Sequence, residues 1–345
     1  MDYNEIRGNK IKEMLVYLTS QCELNCSHCF VPDENPVKQL SLDNLDWLTK
    51  TFEIKSVNLL GGEPTRYPYL KEAIAMFDKV TISTNGLFLS EDGSRSKELI
   101  DVLKSKGKNI SVQLSIHGNQ SDTDAVRGLG VWQRVLSAAN NLKKNDIPCY
   151  FLSCYSSGNL EHIPWVIDQI SHPLNMPLAL FPEIGKSPLT VDEQKWLFAT
   201  IVKKNNEYKE HNLVDQPNFF QWLGMSGRCG AGSERLCLTY NKELVPCHFD
   251  LNYVLGFVGS KLESINRNRE SFLKNSKRIS PSCDFCSKAD VCRSGCYMSE
   301  AHSGCPLKRN FTLERYAIAT HIDSAALSNQ ISSMRKLLKG SLICG

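Results

Sequence analysis

Short apolar runs alternate with amphipathic helical patterns from residue 14 to about residue 182 of the chain. The runs predict strands at 14–19, 56–60, 79–84, 110–116, 148–153 and 178–181. The intervening stretches predict helices near 41–53, 68–78, 95–106, 131–145 and 159–170. Ser41 and Asn159 are expected to cap the first and last of these helices. Strand–helix alternation favours a parallel sheet with right-handed crossovers, and six strands are two short of a closed eightfold barrel. We therefore expect an α/β fold built on a partial, TIM-like (β/α)6 barrel.

The pattern changes after Pro188, where Thr190 is expected to cap a long helix and eight cysteines then fall between 229 and 305. This Cys-rich stretch has many turn residues and few apolar runs, so we expect bound metal to hold its fold. The chain accordingly divides into a barrel at 1–182, a bridging helical region at 183–228, a Cys-rich domain at 229–310 and a C-terminal helix and tail at 311–345.

Composition argues against several classes of partner. The chain has 40 Lys and Arg residues against 37 Asp and Glu, a formal charge of +3, which gives no reason to expect nucleic acid or a membrane surface. The charged N-terminus lacks the apolar run of a signal peptide, and no stretch approaches the ~20 apolar residues of a spanning helix. We expect a cytoplasmic protein, in which the 14 cysteines need an explanation other than disulfide bonds.

Three of these cysteines follow the first predicted strand in TSQCELNCSHCF, with three and then two residues between them. A structural zinc site uses four ligands, whereas three thiolates on one loop leave a metal position open. On a four-iron, four-sulfide cluster, the open iron can bind a small molecule. The spacing of Cys22, Cys26 and Cys29 resembles the radical SAM superfamily, in which that iron chelates the amino and carboxylate groups of S-adenosylmethionine.

The ends of the following strands extend the resemblance. The sequence LLGGEPT is similar to the superfamily's GGEP motif, which holds the methionyl amine, and it lies at the carboxyl rim where barrel folds bind ligands. The resemblance implies cofactor-binding roles for Gly61, Gly62, Glu63, Pro64, Thr84, Asn85, Ser115 and Arg127. A guanidinium suits the cofactor carboxylate because it donates two parallel hydrogen bonds; Arg134 is the alternative. His28 stands where the superfamily often has another aromatic residue, and we expect it to pack near the adenine.

The eight cysteines from 229 to 305 form a second constellation. Their C-x2-C-x5-C-x3-C run with a trailing cysteine resembles the SPASM domain of radical SAM peptide-modifying enzymes, and eight thiolates suffice for two auxiliary clusters. The resemblance implies that one auxiliary cluster binds Cys229, Cys237, Cys247 and Cys296. It implies that the other binds Cys283, Cys286, Cys292 and Cys305. Two four-thiolate zinc sites are the alternative, because they need the same number of ligands.

With the first site, the expected cofactors are three [4Fe–4S] clusters and S-adenosylmethionine. One position departs from the family, which usually has a glycine where Lys242 stands. We expect Asn241 to adopt the left-handed conformation of that turn instead.

The resemblance implies that a 5′-deoxyadenosyl radical abstracts hydrogen from the substrate and that the auxiliary clusters accept the electron released by its oxidation. SPASM relatives act mostly on ribosomal peptides, so we expect oxidative modification of a precursor peptide by a cyclophane, thioether or ether crosslink. A flavodoxin- or ferredoxin-type protein would donate electrons. About thirteen residues precede the first predicted strand, so we expect the barrel rim or a separate leader-binding protein to recognise the leader.

Three other functions remain open from the sequence. Sulfatase-maturing relatives, which form formylglycine, carry an Asp directly after the third auxiliary cysteine, where this chain has His248, with Asp250 two residues further on. His248 and Asp250 are each a candidate catalytic base or a surface residue. The other two functions are a small-molecule radical SAM dehydrogenase and a zinc-binding interaction protein with a degenerate barrel.

Overall fold

The computed structural model describes residues 8–31, 34–91, 93–183, 189–208, 214–215 and 230–276. The chain divides into two compact units. The first comprises the chain up to Ile116, Gln120–Tyr150 and Gly230–Ser276, and the second comprises His117–Asn119 and the chain from Phe151 to residue 215. None of the helices in these residues combines the length and the apolar character needed to cross a lipid bilayer.

Strands and helices alternate in chain order, as the pattern predicts. The strands are β1 (Lys10–Tyr17), β2 (Glu53–Leu60), β3 (Val80–Thr84), β4 (Ile110–Ile116), β5 (Cys149–Tyr155), β6 (Leu178–Pro182), β7 (Val214–Asp215), β8 (Arg235–Leu238), β9 (Glu243–Val245) and β10 (Gly256–Phe257). The α-helices are α1 (Leu42–Thr51), α2 (Leu70–Ala75), α3 (Ser94–Lys106), α4 (Gln120–Arg127), α5 (Val131–Lys144), α6 (Ile163–Val166), α7 (Val191–Glu207) and α8 (Leu262–Ser276).

The sheet of the first unit has the strand order β10-β9-β8-β1-β2-β3-β4. Strands β1 to β4 are parallel to one another, β8 runs parallel to β1, and the β8–β9 and β9–β10 pairs are antiparallel. Apolar side chains of β3 and β4 are almost completely buried, among them Val80, Ile82, Val112 and Leu114. Such near-continuous apolar burial is typical of parallel strands covered on both faces.

The second unit has β5, β6 and β7 in parallel pairs. The helix predicted at 159–170 is divided there into a 3-10 turn (Leu160–His162), α6 and a π-helical turn (Ile167–Ser171). Asn159 was expected to cap it, but the Asn159 side chain makes no cap hydrogen bond. Its amide instead donates to the Cys154 carbonyl and accepts from the Ser156 backbone N–H, which closes the turn after β5.

The other two predicted caps are confirmed. Ser41 and Thr190 each accept a backbone N–H and form reciprocal capping boxes with Asn44 and Glu193. The predicted strands are also confirmed, but β1 begins at Lys10 rather than at residue 14. Its polar start pairs with both neighbouring strands, because Lys10 lies opposite Glu53 and Glu13 lies opposite Arg235.

The first part of the Cys-rich stretch, residues 230–276, buries apolar side chains without bound metal. Its fully buried side chains include Leu236, Leu238, Leu244 and Ile265, and β8 adds directly to the edge of β1. Metal dependence of the fold is therefore an expectation for residues 277–305, which lie outside the described residues. The proposed domain boundary at 229 falls just before β8, a strand that joins the parallel sheet of the first unit.

The β8–β9 turn differs from the expectation at one residue. Lys242, not Asn241, has the positive φ, 65°. The Lys242 N–H bonds to the Thr239 carbonyl at 2.9 Å, and the next residue pairs back to Thr239. The left-handed position is thus the fourth residue of the turn, where a hairpin loop of this length places it.

Candidate functional site

The three-cysteine loop follows β1 at the carboxyl edge of the parallel strands. Cys22 and Cys29 are exposed, whereas Cys26 and His28 are half-buried. The Cys29 N–H bonds to the Cys26 carbonyl at 2.9 Å, and the Leu24 N–H points at the Cys22 sulfur at 3.4 Å. The loop therefore presents three accessible thiols from one short, locally ordered turn.

Two neighbouring elements hold this loop in place. The Ser27 N–H bonds to the carbonyl of Val126 in the last turn of α4, at 3.0 Å. The Glu23 carboxylate accepts a hydrogen bond from Arg66, in the turn after β2, at 3.1 Å. The ends of two strand–helix connections thus fix the orientation of the cysteines.

Three thiols on one loop are one ligand short of a four-ligand structural zinc site, and they suit a four-iron, four-sulfide cluster with one open iron.

Gly61 and Gly62 pack against the chain segment that leads into this loop. The Gly62 N–H bonds to the Thr19 carbonyl and the Glu63 N–H to the Gln21 carbonyl, both at 2.7 Å. A Cβ atom would lie 2.6 Å from the Thr19 oxygen at Gly61 and 2.5 Å from the Gln21 oxygen at Gly62. Both positions therefore require glycine because two backbone segments meet there, a reason that the sequence resemblance did not supply.

The Glu63 side chain is 1% exposed and organises the ends of β2 and β3. Its Oε1 accepts from the backbone N–H and hydroxyl of Thr65 and from the Thr84 hydroxyl, at 3.0, 2.7 and 2.6 Å. Its Oε2 accepts from the Asn85 N–H at 2.8 Å. Burial raises the pKa of Glu63, and these four hydrogen bonds oppose the rise. Pro64, also buried, starts the following 3-10 turn.

Two buried donors near the loop have no hydrogen-bond acceptor within the part of the chain that the structure describes: Asn85 Nδ2 and Arg127 Nε. Asn85 uses its Oδ1 to accept from the Leu87 N–H at 2.9 Å, which leaves the amide nitrogen without a role in the turn. Burying a hydrogen-bond donor without an acceptor costs free energy, so such donors are expected where a bound ligand supplies the acceptor. Their presence beside the cysteine loop fits a polar cofactor such as S-adenosylmethionine.

The structure separates the two candidate arginines. Arg127 is 9% exposed. Its guanidinium lies near Cys26, because it opposes the rise that burial causes in the pKa of the Cys26 thiol. Arg134 instead donates to Ser90 Oγ, the Leu87 carbonyl and Glu91 Oε1 at 3.2, 3.0 and 2.8 Å. Arg134 is therefore occupied by the turn after β3, which favours Arg127 as the cofactor contact. Ser115, on β4, is half-buried.

Only two of the eight predicted auxiliary ligands are among the described residues. Cys237 lies on β8 and is fully buried, and Cys247 follows β9 and is 6% exposed. Val245 lies opposite Cys237 in the β8–β9 pair, so the two thiols stand on the same hairpin. The ligands that lie outside the described residues are Cys229, Cys283, Cys286, Cys292, Cys296 and Cys305.

The two candidate bases lie on the loop after Cys247. Burial, with a smaller contribution from Arg235, lowers the pKa of His248 to about 3, so its imidazole is neutral at pH 7 and accepts a proton poorly. The Asp250 N–H bonds to the Cys247 carbonyl at 3.0 Å, and its side chain is half-buried. Burial thus makes His248 a weak candidate base.

The second unit contains a buried acid–base pair that sequence reasoning missed. His117 Nε2 lies 3.5 Å from Glu183 Oε2, and their side chains are 5% and 8% exposed. His117 directly follows β4, and Glu183 follows β6 and is anchored by a hydrogen bond from its N–H to the Tyr155 carbonyl. The position of both residues just after a strand was the available signal, because the carboxyl ends of parallel strands carry functional groups.

A known family profile matches residues that belong to both units. The profile of the radical SAM superfamily matches residues 16–170. A PqqA peptide cyclase of Methylorubrum populi is 28% identical over 257 residues, which are 68% of this chain and 65% of the relative. The chain thus matches just under two thirds of the length of that curated relative.

Solved structures share the fold at low identity. SuiB of Streptococcus suis, bound to its precursor peptide SuiA, superposes with a TM-score of 0.66 at 19% identity, over 84% of this chain and 72% of SuiB. The enzyme anSMEcpe, with bound AdoMet and peptide, gives a TM-score of 0.70 at 17% identity, over 93% of this chain and 99% of its own. These matches show a common α/β fold with a parallel sheet.

Proposed function

Because residues 16–170 of this chain belong to the radical SAM superfamily, we propose that the protein is a radical SAM enzyme that oxidatively crosslinks a ribosomally made precursor peptide. The observation that carries the proposal is the three-cysteine loop beside two buried, unpaired donors, Asn85 Nδ2 and Arg127 Nε. Members of this superfamily bind S-adenosylmethionine and a [4Fe–4S] cluster, and this site offers ligands for both.

Each residue of the site then has a defined task. Cys22, Cys26 and Cys29 would hold the cluster through three of its irons. Arg127 would neutralise the cofactor's carboxylate, and Asn85 would donate its amide hydrogen to a cofactor oxygen. When bound, the cluster and S-adenosylmethionine supply a 5′-deoxyadenosyl radical that removes hydrogen from an unactivated C–H bond.

Other residues that are predicted to bind the cofactor also keep this site in shape. Glu63 ties the ends of β2 and β3 together through its four hydrogen bonds. Gly61 and Gly62 let the segment after β1 approach closely. Ser115 and His28 would line the site, with His28 beside the adenine. A site that holds its polar groups in advance positions the reacting C–H bond without further reorganisation.

A peptide substrate is supported by the relatives. The most similar sequences include one named as a peptide cyclase, and SuiB, which has this fold, was solved with its precursor peptide. An intramolecular crosslink is the modification we favour, because forming it removes two electrons and two protons. The radical takes one hydrogen atom, so one further electron and one proton must leave the substrate.

We assign the remaining electron to two auxiliary clusters held by the eight C-terminal cysteines, of which Cys237 and Cys247 lie close together on one hairpin. An external flavodoxin or ferredoxin would reduce the first cluster. The remaining proton needs a base, for which Asp250 and His248 are the candidates, with burial making His248 the weaker base. The leader would be read at the rim or by a separate binding protein.

Co-expression with a short peptide encoded beside the gene, followed by mass spectrometry, tests this function. Crosslinking predicts a product lighter by two hydrogen atoms for each bond formed, with the link located by fragmentation. Formylglycine formation would exchange the sulfur of a cysteine for oxygen, whereas from a serine it would also remove two hydrogens but would join no second residue in the fragmentation spectrum. An unchanged peptide, together with oxidation of a small molecule by the iron-loaded protein, would contradict the proposal.

A further inference from the structure

Tyr17, the last residue of β1, lies beneath the two loops that carry predicted ligands of different clusters. Its side chain is 3% exposed and belongs to a buried core cluster. The other buried members of that cluster are Leu15, Cys237, Tyr240 and Val245. Cys237 is brought there by the β1–β8 pairing, in which it lies opposite Leu15.

The phenol of Tyr17 holds the loop after Cys247. Its hydroxyl donates to the His248 carbonyl at 3.1 Å, a contact between residues 231 positions apart in the chain. Cys237 packs in the same buried cluster as the Tyr17 side chain, and the Tyr17 hydroxyl holds the residue that directly follows Cys247.

An aromatic contact also connects the loop that ends at Cys29 with the loop that follows Cys247. Phe30, the residue after Cys29, has its ring centroid 4.9 Å from that of Phe249 and 6.3 Å from that of His248, both in edge-to-face orientation. Val31 packs against the core cluster that contains Tyr17. The loop that ends at Cys29 and the loop that begins at Cys247 thus share one packed interface.

We propose that Tyr17 and the Phe30–Phe249 pair are positioning residues that couple the loop of the first cluster to the ligand loop of an auxiliary cluster. The inference rests on the proposed function, since it takes Cys29 and Cys247 as ligands of two different clusters. Removing the Tyr17 hydroxyl frees the His248 carbonyl and loosens residues 247–250. The auxiliary site changes as a result, while the Cys22–Cys26–Cys29 site keeps its ability to cleave S-adenosylmethionine.

The test compares Tyr17→Phe with Tyr240→Phe in full-length, anaerobically purified protein. Tyr240 is a matched control because it is buried in the same cluster, with its ring 6.3 Å from that of Tyr17. Hydrogen exchange at the amides of Phe249 and Asp250 should become about 3–10-fold faster in Tyr17→Phe, as expected for one lost hydrogen bond. The same amides should be unchanged in Tyr240→Phe.

A second readout follows the clusters by electron paramagnetic resonance during reductive titration. Tyr17→Phe should shift the potential or line shape of one auxiliary cluster and leave the S-adenosylmethionine-responsive signal as in wild type. Phe30→Leu, at a residue 43% exposed and so tolerant of change, should speed exchange at Phe249 if Tyr17→Phe does not fold.

The inference would be overturned if Tyr17→Phe contained all clusters but changed neither the amide hydrogen exchange nor the signal of the auxiliary cluster. The proposed function would stand in that case. Equal effects of Tyr17→Phe and Tyr240→Phe would also overturn the inference, since Tyr17 is the one of these two tyrosines whose hydroxyl bonds to the His248 carbonyl. Wild-type protein that contains no iron would instead overturn the proposed function, and with it the coupling of two clusters.

Discussion

At the scale of single residues, the site is marked by two buried donors that have no hydrogen-bond acceptor in the part of the chain that the structure describes. Asn85 Nδ2 and Arg127 Nε are buried without an acceptor among the described residues, whereas every oxygen of Glu63 is satisfied. Burying a donor without a partner costs about 1–3 kcal/mol, so a ligand that accepts these hydrogens recovers that energy on binding. The choice between Arg127 and Arg134 depends on tertiary contacts, which is why sequence alone left both open.

Arg127→Gln should weaken binding of S-adenosylmethionine by about 10–100-fold, because it removes a charge-assisted hydrogen bond to the carboxylate. Equilibrium dialysis with the iron-loaded protein measures this change.

Arg134→Gln is the matched control for that prediction. It loses the contacts with Ser90, Leu87 and Glu91 and should lower the thermal midpoint slightly while it leaves cofactor affinity unchanged. If cofactor affinity were lost only in Arg134→Gln, Arg134 rather than Arg127 would be the residue that contacts the carboxylate.

At the scale of elements, helix α8 secures the start of β1 and the entry to β8. Its Arg269 is fully buried and donates to the carbonyls of Gly8, Gly232 and Ser233. Gly232 itself has φ +74°, and a Cβ there would lie 2.4 Å from the ring of Phe272 on α8. The packing of α8 against the chain before β8 therefore requires an arginine at position 269 and a glycine at position 232.

Arg269→Ala should reduce the free energy of unfolding by at least about 3 kcal/mol, since it leaves several buried carbonyls without donors. Arg267→Ala, two residues away on the exposed side of the same helix, should have little effect. Urea denaturation of the two variants measures both values, and equal stabilities would contradict the role given to Arg269.

In the second unit, Asp168 connects the π-helical turn to α7. Its carboxylate accepts from Lys204 Nζ and the Tyr208 hydroxyl, both at 2.7 Å. Partial burial raises the pKa of Asp168, but these hydrogen bonds outweigh it and hold the pKa below its usual value. A carboxyl whose pKa is lower in the folded state stabilises the fold above its unfolded pKa, and that contribution is lost as pH falls through the folded value.

Asp168→Asn should therefore cost about 0.5–1 kcal/mol at pH 7, and the difference from wild type should disappear as the pH falls from about 4 through the lowered pKa. Glu161→Gln, at a largely exposed residue nearby in the chain, is the control. A deficit that persists undiminished at pH 3 would show that the ion pair is not its cause.

The predictable part of these elements was the part encoded locally. The apolar runs of β1 to β6 and the cap residues Ser41 and Thr190 carry their own signal. Asn159 was misassigned because its amide serves the turn behind it rather than the helix ahead. The His117–Glu183 pair was missed because its members are distant in sequence and only the fold brings them together.

At the scale of the whole molecule, the chain shares the fold of SuiB and anSMEcpe, and the profile of the radical SAM superfamily matches residues 16–170. The cysteine motifs are visible in the sequence because ligation of a cluster would require their spacing. The reasons for Gly61 and Gly62 were not, since they depend on where the segment after β1 lies. The central claim is that three thiolates on one loop hold a cluster with an iron open to S-adenosylmethionine.

The most direct test of that claim is production of 5′-deoxyadenosine by chemically reduced, iron-loaded protein. The account predicts that wild type and Cys149→Ala, altered at a thiol outside both constellations, make 5′-deoxyadenosine. It predicts that Cys26→Ala makes none and contains about four fewer iron atoms per chain. Undiminished production by Cys26→Ala would contradict the account.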